Sequence, residues 1–499
     1  MKLVILKRIS QALFFLVFTY VLWSTTYPLR GVIRPKVLFH ADPLIVLFTS
    51  LAGRILVPGI ALSVFMLAAT FVFGRYFCGW VCPLGSAIDA VGAVCRKKDA
   101  LTDTANRLAR RVKYGILGFV AVWALGGAQV AWVFDPIVLM ARFISLNVIP
   151  TVTLAVDFVF IVLIRDLHLD LLRDPYQALK ASLLGVKVFY FFHSGVIFLY
   201  FALAAGTVCV MRRFWCRSLC PLGGLYALIA RFSRLRRVVV KCNQCMYCKG
   251  DCRMGAIRDD LGTVGGECIL CMDCVYDCPQ HGIRFSWGSS RERPEPSVRS
   301  GSRDDGISRR TFLIFLCSLP FFLGAVKRIV RGGPRPVIRP PAALREDDFV
   351  GRCVRCGNCM KVCITNGLQP ALFQSGIGGI WTPHLVPEIG YCEYNCTLCG
   401  SVCPTGAIRR LTVDEKHATR LGVAAIDQEI CIPWSKNEQC IVCEEHCPVP
   451  EKAIKLATVS RNGTDILVPS IDQELCVGCG ICQNKCPVRP VRAVRITGL

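Results

Sequence analysis

Twenty-four cysteines stand in six quartets whose spacing suits iron–sulfur chemistry: Cys242, Cys245, Cys248 and Cys252; Cys268, Cys271, Cys274 and Cys278; Cys353, Cys356, Cys359 and Cys363; Cys392, Cys396, Cys399 and Cys403; Cys431, Cys440, Cys443 and Cys447; Cys476, Cys479, Cys482 and Cys486. Four of the six follow C-x2-C-x2-C-x3-C, the run in which three thiolates hold one [4Fe–4S] cluster and the fourth reaches over to its neighbour. A tight loop of alternating cysteines can meet several iron corners of a cubane together. A disulfide framework has no use for three cysteines within seven residues, and zinc ribbons lack the third CxxC step. The fourth cysteine is followed by Pro279, Pro404, Pro448 or Pro487 in four quartets, and by Arg253 or Ile364 in the other two. The quartets that begin at Cys392 and Cys431 carry insertions before their second ligand, but the ligand set stays complete. Six [4Fe–4S] clusters are expected.

Ligand exchange assigns Cys242, Cys245, Cys248 and Cys278 to one cluster of the first pair, and Cys252, Cys268, Cys271 and Cys274 to the other. For the last sixteen cysteines two arrangements stay open. Neighbouring quartets pair, or the first pairs with the last around a nested middle pair; the gaps between quartets are nearly equal and do not choose.

The chain of 499 residues has 31 cysteines, so seven lie outside the quartets. Four of these occur in two copies of one motif, Cys78-x3-Cys82-Pro83-Leu84-Gly85 and Cys216-x3-Cys220-Pro221-Leu222-Gly223. If the two copies face each other, four thiols converge as a candidate redox or metal site, an iron–sulfur centre or a dithiol relay. The plain alternative is that Cys-Pro-Leu-Gly marks a helix boundary. Cys95, Cys209 and Cys317 are expected as small apolar fillers. There is no CxxCH, which argues against covalent haem. His193 falls in an apolar run, where packing is the ordinary role of a histidine and quinone contact the functional one.

A hydrophobic content of 53% and a mean hydropathy of +0.47 are high for a chain with so many polar cluster loops. The excess lies in the first 211 residues, with runs at Ala12–Trp23, Leu56–Phe73, Tyr114–Phe134 and Val188–Met211 and a shorter fifth run at Thr311–Val326. At about 1.5 Å per residue such runs approach the roughly 30 Å of a hydrocarbon core. The net charge of +24 is topological rather than a nucleic-acid footprint. Lys2, Lys7 and Arg8, the cluster from Arg96 to Lys113, and the acid-free basic stretch Arg212–Lys241 mark the inner side. Counting Leu146–Ile164 as a span would put that last stretch outside. With Pro150 and Asp157 inside it, 134–187 is expected as an outer-face loop holding membrane-hugging helices.

Each membrane half has an outward helix, an Asp-Pro outer loop (Asp42-Pro43, Asp135-Pro136) and an inward helix ending in CxxxCPLG. Two copies in one orientation predict packing about an axis along the membrane normal. The expected fold is thus an α-helical membrane domain of two parallel repeats with four spans and a fifth anchor helix, carrying α+β ferredoxin-like [4Fe–4S] modules on both sides of the membrane.

Beyond a Ser/Arg/Pro-rich linker, Ser308-Arg309-Arg310-Thr311-Phe312-Leu313 precedes the fifth run. Twin arginine before a moderately apolar helix resembles a Tat export signal. An ordinary anchor with a basic flank gives the same topology. Folded export suits thiolate ligands, which must be loaded where the compartment is reducing. The expected organisation is a membrane domain at 1–240, an inner two-cluster module at 241–288, a linker at 289–307, a twin-arginine anchor helix at 308–330, a Pro-rich spacer at 331–346 and a periplasmic four-cluster module at 347–499.

On these motifs, residues 1 to about 288 resemble the NapH/MauN membrane ferredoxins, related more distantly to NosR, and residues from about 308 resemble the NapG/MauM exported ferredoxins. The resemblance implies a bacterial inner-membrane protein that transfers electrons between the quinone pool and a periplasmic cytochrome or terminal reductase, within a hetero-oligomeric complex. A quinol dehydrogenase component is the enzymatic form of that role. A rival reading is a maturation or redox-regulatory protein for a periplasmic metalloenzyme. No Gly-rich nucleotide loop, molybdenum pocket or flavin pocket is recognisable, so substrate turnover is assigned to partners.

Overall fold

The computed structural model describes residues 2–29, 31–95, 103–181, 189–287, 337–461 and 464–498. They divide into two compact units, one of Met1–Val21, Val37–Phe143 and Val196–Arg328, the other of Leu22–Lys36, Ile144–Gly195 and Ile329–Leu499. The linker, the twin-arginine motif, the fifth apolar run and Cys317 lie outside the described residues.

The first unit is helical up to Ala230. Its main helices are Lys2–Trp23, Pro43–Gly53, Ile60–Phe73, Asp103–Leu125 and Ser194–Gly206, with Pro83–Cys95 and Pro221–Ala230 following the two CxxxCP motifs. The Asp-Pro motifs start helices for a local reason. Asp42 Oδ1 accepts from the Leu44 and Ile45 amides at 2.9 and 3.3 Å, and Asp135 Oδ1 accepts from Ile137 and Val138, both at 2.9 Å. Proline at the first helical position lacks the amide that would otherwise need a partner. Both aspartates, expected in outer loops, are instead fully buried, and their carboxyls meet each other across the repeat. Capping replaces water at Oδ1 of each aspartate, while the buried Oδ2 atoms take no part in it.

Of the expected spans, only the first lies in a helix long and apolar enough to cross a membrane, Leu3–Trp23, among the described residues. Ile60–Phe73 and Ser194–Cys209 are shorter apolar helices. The second long apolar helix is Pro136–Asp166, of 31 residues, where a loop with interfacial helices was expected. Neither residue that argued against a continuous helix interrupts it. Pro150 follows a π-turn at Ile144–Val148, in the first turn of the next helical stretch. Asp157 is paired, accepting from Tyr176 Oη at 2.9 Å and lying 3.1 Å from Lys180 Nζ.

A ferredoxin module closes the first unit. Its strand Leu235–Val239 pairs antiparallel with Ile283–Trp287, so the module begins a few residues before the expected boundary at 241. Short helices at Tyr247–Gly250 and Asp273–Tyr276 carry the third cysteine of each quartet.

The second unit holds the other four quartets. The strand Gly422–Ile426 pairs antiparallel with Val494–Gly498 and so brackets the quartets from Cys431 to Cys486. A hairpin of Ile454–Arg461 and Thr464–Ile471 lies between those two quartets. In the first half of the unit, Leu368–Pro370 pairs with Pro383–Leu385. Lys361, buried between Cys359 and Cys363, donates to the carbonyls of Leu22, Trp23 and Thr25 at 2.6, 3.0 and 2.9 Å. Asn366 Nδ2 donates to Tyr190 O at 2.8 Å, and the Phe192 amide donates to Gln369 Oε1 at 3.0 Å.

Candidate iron–sulfur sites

The four regular quartets share one backbone device. Both residues that flank the second cysteine are left-handed: Gln244 and Met246, Leu270 and Met272, Arg355 and Gly357, Gly478 and Gly480. The chain doubles back at each, which turns three cysteines and several amides toward one centre. Such amide nests favour an anionic group. Non-glycine residues in this conformation cost on the order of 1 kcal/mol each, so the conformation persists where something bound repays it. The irregular quartets use a different turn, since Thr397 and Ile441, which follow their second cysteines, keep negative φ. The Gly480 position, at φ 82°, would put a Cβ 3.1 Å from Pro387. Gly480→Val is therefore expected to lower iron content at the Cys476 site, whereas Met272→Gly is expected to keep it at the Cys268 site; iron per chain and EPR amplitude read both.

Ligand exchange is visible in the linings. One cavity is bounded by Cys242, Cys245, Cys248 and Cys278, and a second by Cys252, Cys268, Cys271 and Cys274, as expected from the spacing. In the second unit a cavity is bounded by Cys363 together with Cys392, Cys396 and Cys399. Cys403 falls beside Cys353, Cys356 and Cys359, whose thiols it perturbs. In the last two quartets Cys486 lies beside Cys431, and Cys447 packs in the cluster that holds Cys476 and Cys482. Neighbouring quartets pair, and the nested arrangement is not adopted.

Burial pushes these thiols up. Cys356 and Cys443 rise to about 12 and Cys353 and Cys392 to about 11, chiefly through desolvation and, for Cys356 and Cys443, then through neighbouring cysteines. Four buried thiols that resist ionisation give up their protons when a metal takes the charge. Among the described residues no three His, Cys, Asp or Glu side chains are gathered closely enough to hold a single metal ion. Three of the clusters expected here correspond to cavities that four cysteines line together. The donor sets fit [4Fe–4S] groups.

Two cations address the sulfurs directly. Arg237 lies between the clusters of the first unit, with Nη2 3.5 Å from Cys248 Sγ and a second hydrogen bond to Cys274. Buried Lys416 sits on the helix Val413–His417, whose capping box joins Thr412 and Glu415. Its Nζ donates to the carbonyls of Glu393 and Cys396 and to Cys392. A fixed cation favours the more negative, reduced cluster. Lys416→Met is expected to lower the midpoint potential at Cys363, Cys392, Cys396 and Cys399 by on the order of 60 mV, tenfold in a one-electron equilibrium; an unshifted redox titration would count against this.

The structure brings Cys78, Cys82, Cys216 and Cys220 together as buried or half-buried free thiols. Cys95 and Cys209, expected as separate fillers, are joined in a disulfide with their Cα atoms 5.7 Å apart. The pairing is long-range, and sequence spacing alone held no sign of it. His193, expected within a span, is half-buried in a left-handed turn just before Ser194–Gly206, beside Phe192 and within electrostatic reach of His384. The residues missed in the sequence are the buried arginines Arg75 and Arg213. Both occupy the third position before the first cysteine of CxxxCP, a repeat that could have been seen.

A family profile described as a 4Fe-4S binding domain matches residues 55–102 and again 191–238, and a second profile with the same description matches 469–492. The methylamine utilization ferredoxin-type protein MauM of Methylorubrum extorquens is 35% identical over 154 residues, 30% of this chain and 67% of that protein. MauM of Paracoccus denitrificans is 34% identical over 173 residues, 34% of this chain and 75% of that protein. The ferredoxin-type protein NapG of Escherichia coli is 34% identical over 154 residues, 30% of this chain and 65% of that protein. No solved structure matches.

Proposed function

We propose, for a chain that belongs to the MauM family of ferredoxin-type proteins, that it is a membrane-bound electron-transfer subunit linking the quinone pool to a periplasmic redox partner. The observation that carries this reading is the closing of all six quartets into three two-cluster modules, one in the first unit and two in the second. Paired clusters pass single electrons.

In this reading residues 1 to about 288 form a NapH/MauN-type membrane half, and the exported half follows the twin-arginine helix. Leu3–Trp23 and Pro136–Asp166 support the membrane part by length and composition. When loaded, the six [4Fe–4S] clusters supply one-electron carriers. The chain's own residues hold them by thiolate, exclude water and set their potentials through Arg237 and Lys416. A cytochrome or terminal reductase in the periplasm would take the electrons, in a hetero-oligomeric complex.

The test is reduction of clusters in native membranes by a menaquinol analogue, with partners present. Bleaching of the cluster absorbance, blocked by a quinone-site inhibitor, is expected. Clusters that stay oxidised under quinol but are reduced by dithionite would reject quinol as the donor.

A further inference from the structure

The two CxxxCP motifs form one frame. In each copy the amide of the motif's glycine donates back to the second cysteine, Gly85 N to Cys82 Sγ at 3.4 Å and Gly223 N to Cys220 Sγ at 3.2 Å. The helices that start there, Pro83–Cys95 and Pro221–Ala230, therefore aim their amino ends at the sulfurs. Helix amino ends favour negative charge.

The arginine of each copy reaches across to the other. Arg213 Nη1 donates to Cys78 O at 2.9 Å, and its Nη2 lies 3.6 Å from where a Cβ on Gly85 would stand. Arg75 Nη2 lies 2.9 Å from the same point on Gly223 and 4.0 Å from Cys78 Sγ. Both are fully buried. Each is paired with a carboxylate, Arg75 Nη1 with Glu267 Oε2 at 2.9 Å and Arg213 Nε and Nη2 with Asp89 Oδ1 and Oδ2 at 2.8 and 2.6 Å. Two buried cations and two helix amino ends thus converge on four thiols. Each arginine shares its charge with a carboxylate, so it is the two amino ends and the guanidinium groups lying beside the motifs that suit an anionic group here.

We propose that Cys78, Cys82, Cys216 and Cys220 together hold a seventh iron–sulfur cluster, with Arg75 and Arg213 as its crossed counter-ions. Each repeat gives two ligands, so the site exists only when the repeats are docked. A four-thiolate set is the ordinary complement of such a cluster. The family profile that matches residues 55–102 and 191–238 covers these motifs twice and none of the six quartets, and its description names a cluster.

The site adjoins the neighbouring cluster of the same unit. Trp80 Nε1, inside the first motif, donates to Leu270 O at 2.9 Å, and a Cβ on Gly79 would stand 2.1 Å from Ile269 O. Those carbonyls belong to the loop that carries Cys268 and Cys271. The seventh cluster is thus next in line to the cluster of Cys252, Cys268, Cys271 and Cys274, and it deepens the electron-transfer role proposed above, on which its place in the chain of carriers rests.

The experiment is iron and acid-labile sulfide quantitation, with Mössbauer and EPR spectra, on the full chain purified anaerobically. About 28 iron atoms per chain are expected rather than the roughly 24 that six clusters need. Cys78→Ser with Cys216→Ser should remove one spectral component and leave the component lost in Cys245→Ser. Arg75→Gln and Arg213→Gln should keep the iron but lower the midpoint potential of that same component alone. An iron count of about 24 in the unaltered chain, or an unchanged count in the double cysteine variant, overturns the proposal. If the double variant does not accumulate, the count in the unaltered chain decides. None of these readouts depends on quinol, so failure of the donor assignment leaves them intact.

Discussion

Serine in place of Cys486 is expected to abolish the cluster held by Cys431, Cys440 and Cys443, and to spare the one held by Cys476, Cys479 and Cys482. This runs against sequence proximity, because Cys486 is only four residues from Cys482. The pairing strands Gly422–Ile426 and Val494–Gly498 enclose both quartets and bring the last cysteine back beside Cys431. Cys447 makes the reciprocal crossing, packed with Cys476 and Cys482. A thiolate lost from a buried four-ligand set leaves one iron corner open, and loss of about four iron atoms per chain is expected. Anaerobic EPR of Cys486→Ser beside Cys482→Ser distinguishes the two clusters, because the two variants should lose different components. Loss of the same component in both would mean that each quartet holds its own cluster. Loss of the component that depends on Cys353 would restore the nested pairing.

The cluster ligands could be read from spacing because a cubane demands cysteines at short, regular steps, and no competing role uses them. Pairing of the outer quartets could not, because nearly equal gaps carry no information and the decision lies in a strand pair some 70 residues apart in sequence. Arg75 and Arg213 were hidden by their neighbours. Arg213 counted, within the basic stretch Arg212–Lys241, as a marker of the inner side, and Arg75 drew no reading, whereas each is buried against a carboxylate and a cysteine motif. Asp157 misled in the opposite direction, since a carboxylate in an apolar run argues against a helix until Tyr176 and Lys180 are seen to satisfy it. Charge patterns report topology well only where the charges face water, and these do not.

Glu267→Gln is expected to destabilise the first unit by about 3–5 kcal/mol, the scale for removing one partner of a buried ion pair. Glu267 is 2% exposed and takes three donors at once: Lys113 Nζ at 2.9 and 2.8 Å, Arg75 Nη1 at 2.9 Å and Tyr114 Oη at 3.1 Å. Burial alone would raise its carboxyl, but Lys113 and Arg75 hold it down to about 2. The sign follows directly. A carboxylate depressed in the folded state adds stability that is complete above its unfolded value near 4.5 and fades as pH falls toward 2, so the full contribution is present at pH 7. Glutamine keeps the shape and loses the charge, leaving two buried cations facing a neutral amide. Since the next residue is Cys268, the damage should spread to the cluster of Cys252, Cys268, Cys271 and Cys274, seen as faster loss of its EPR signal on warming. Removing Lys113 as well, by Lys113→Met, should recover part of the stability, because one uncompensated charge goes with it. A melting temperature that Glu267→Gln leaves unmoved, or a double variant worse than the sum of the two single changes, would show that the triad is not what pins the cluster loop to the CxxxCP frame.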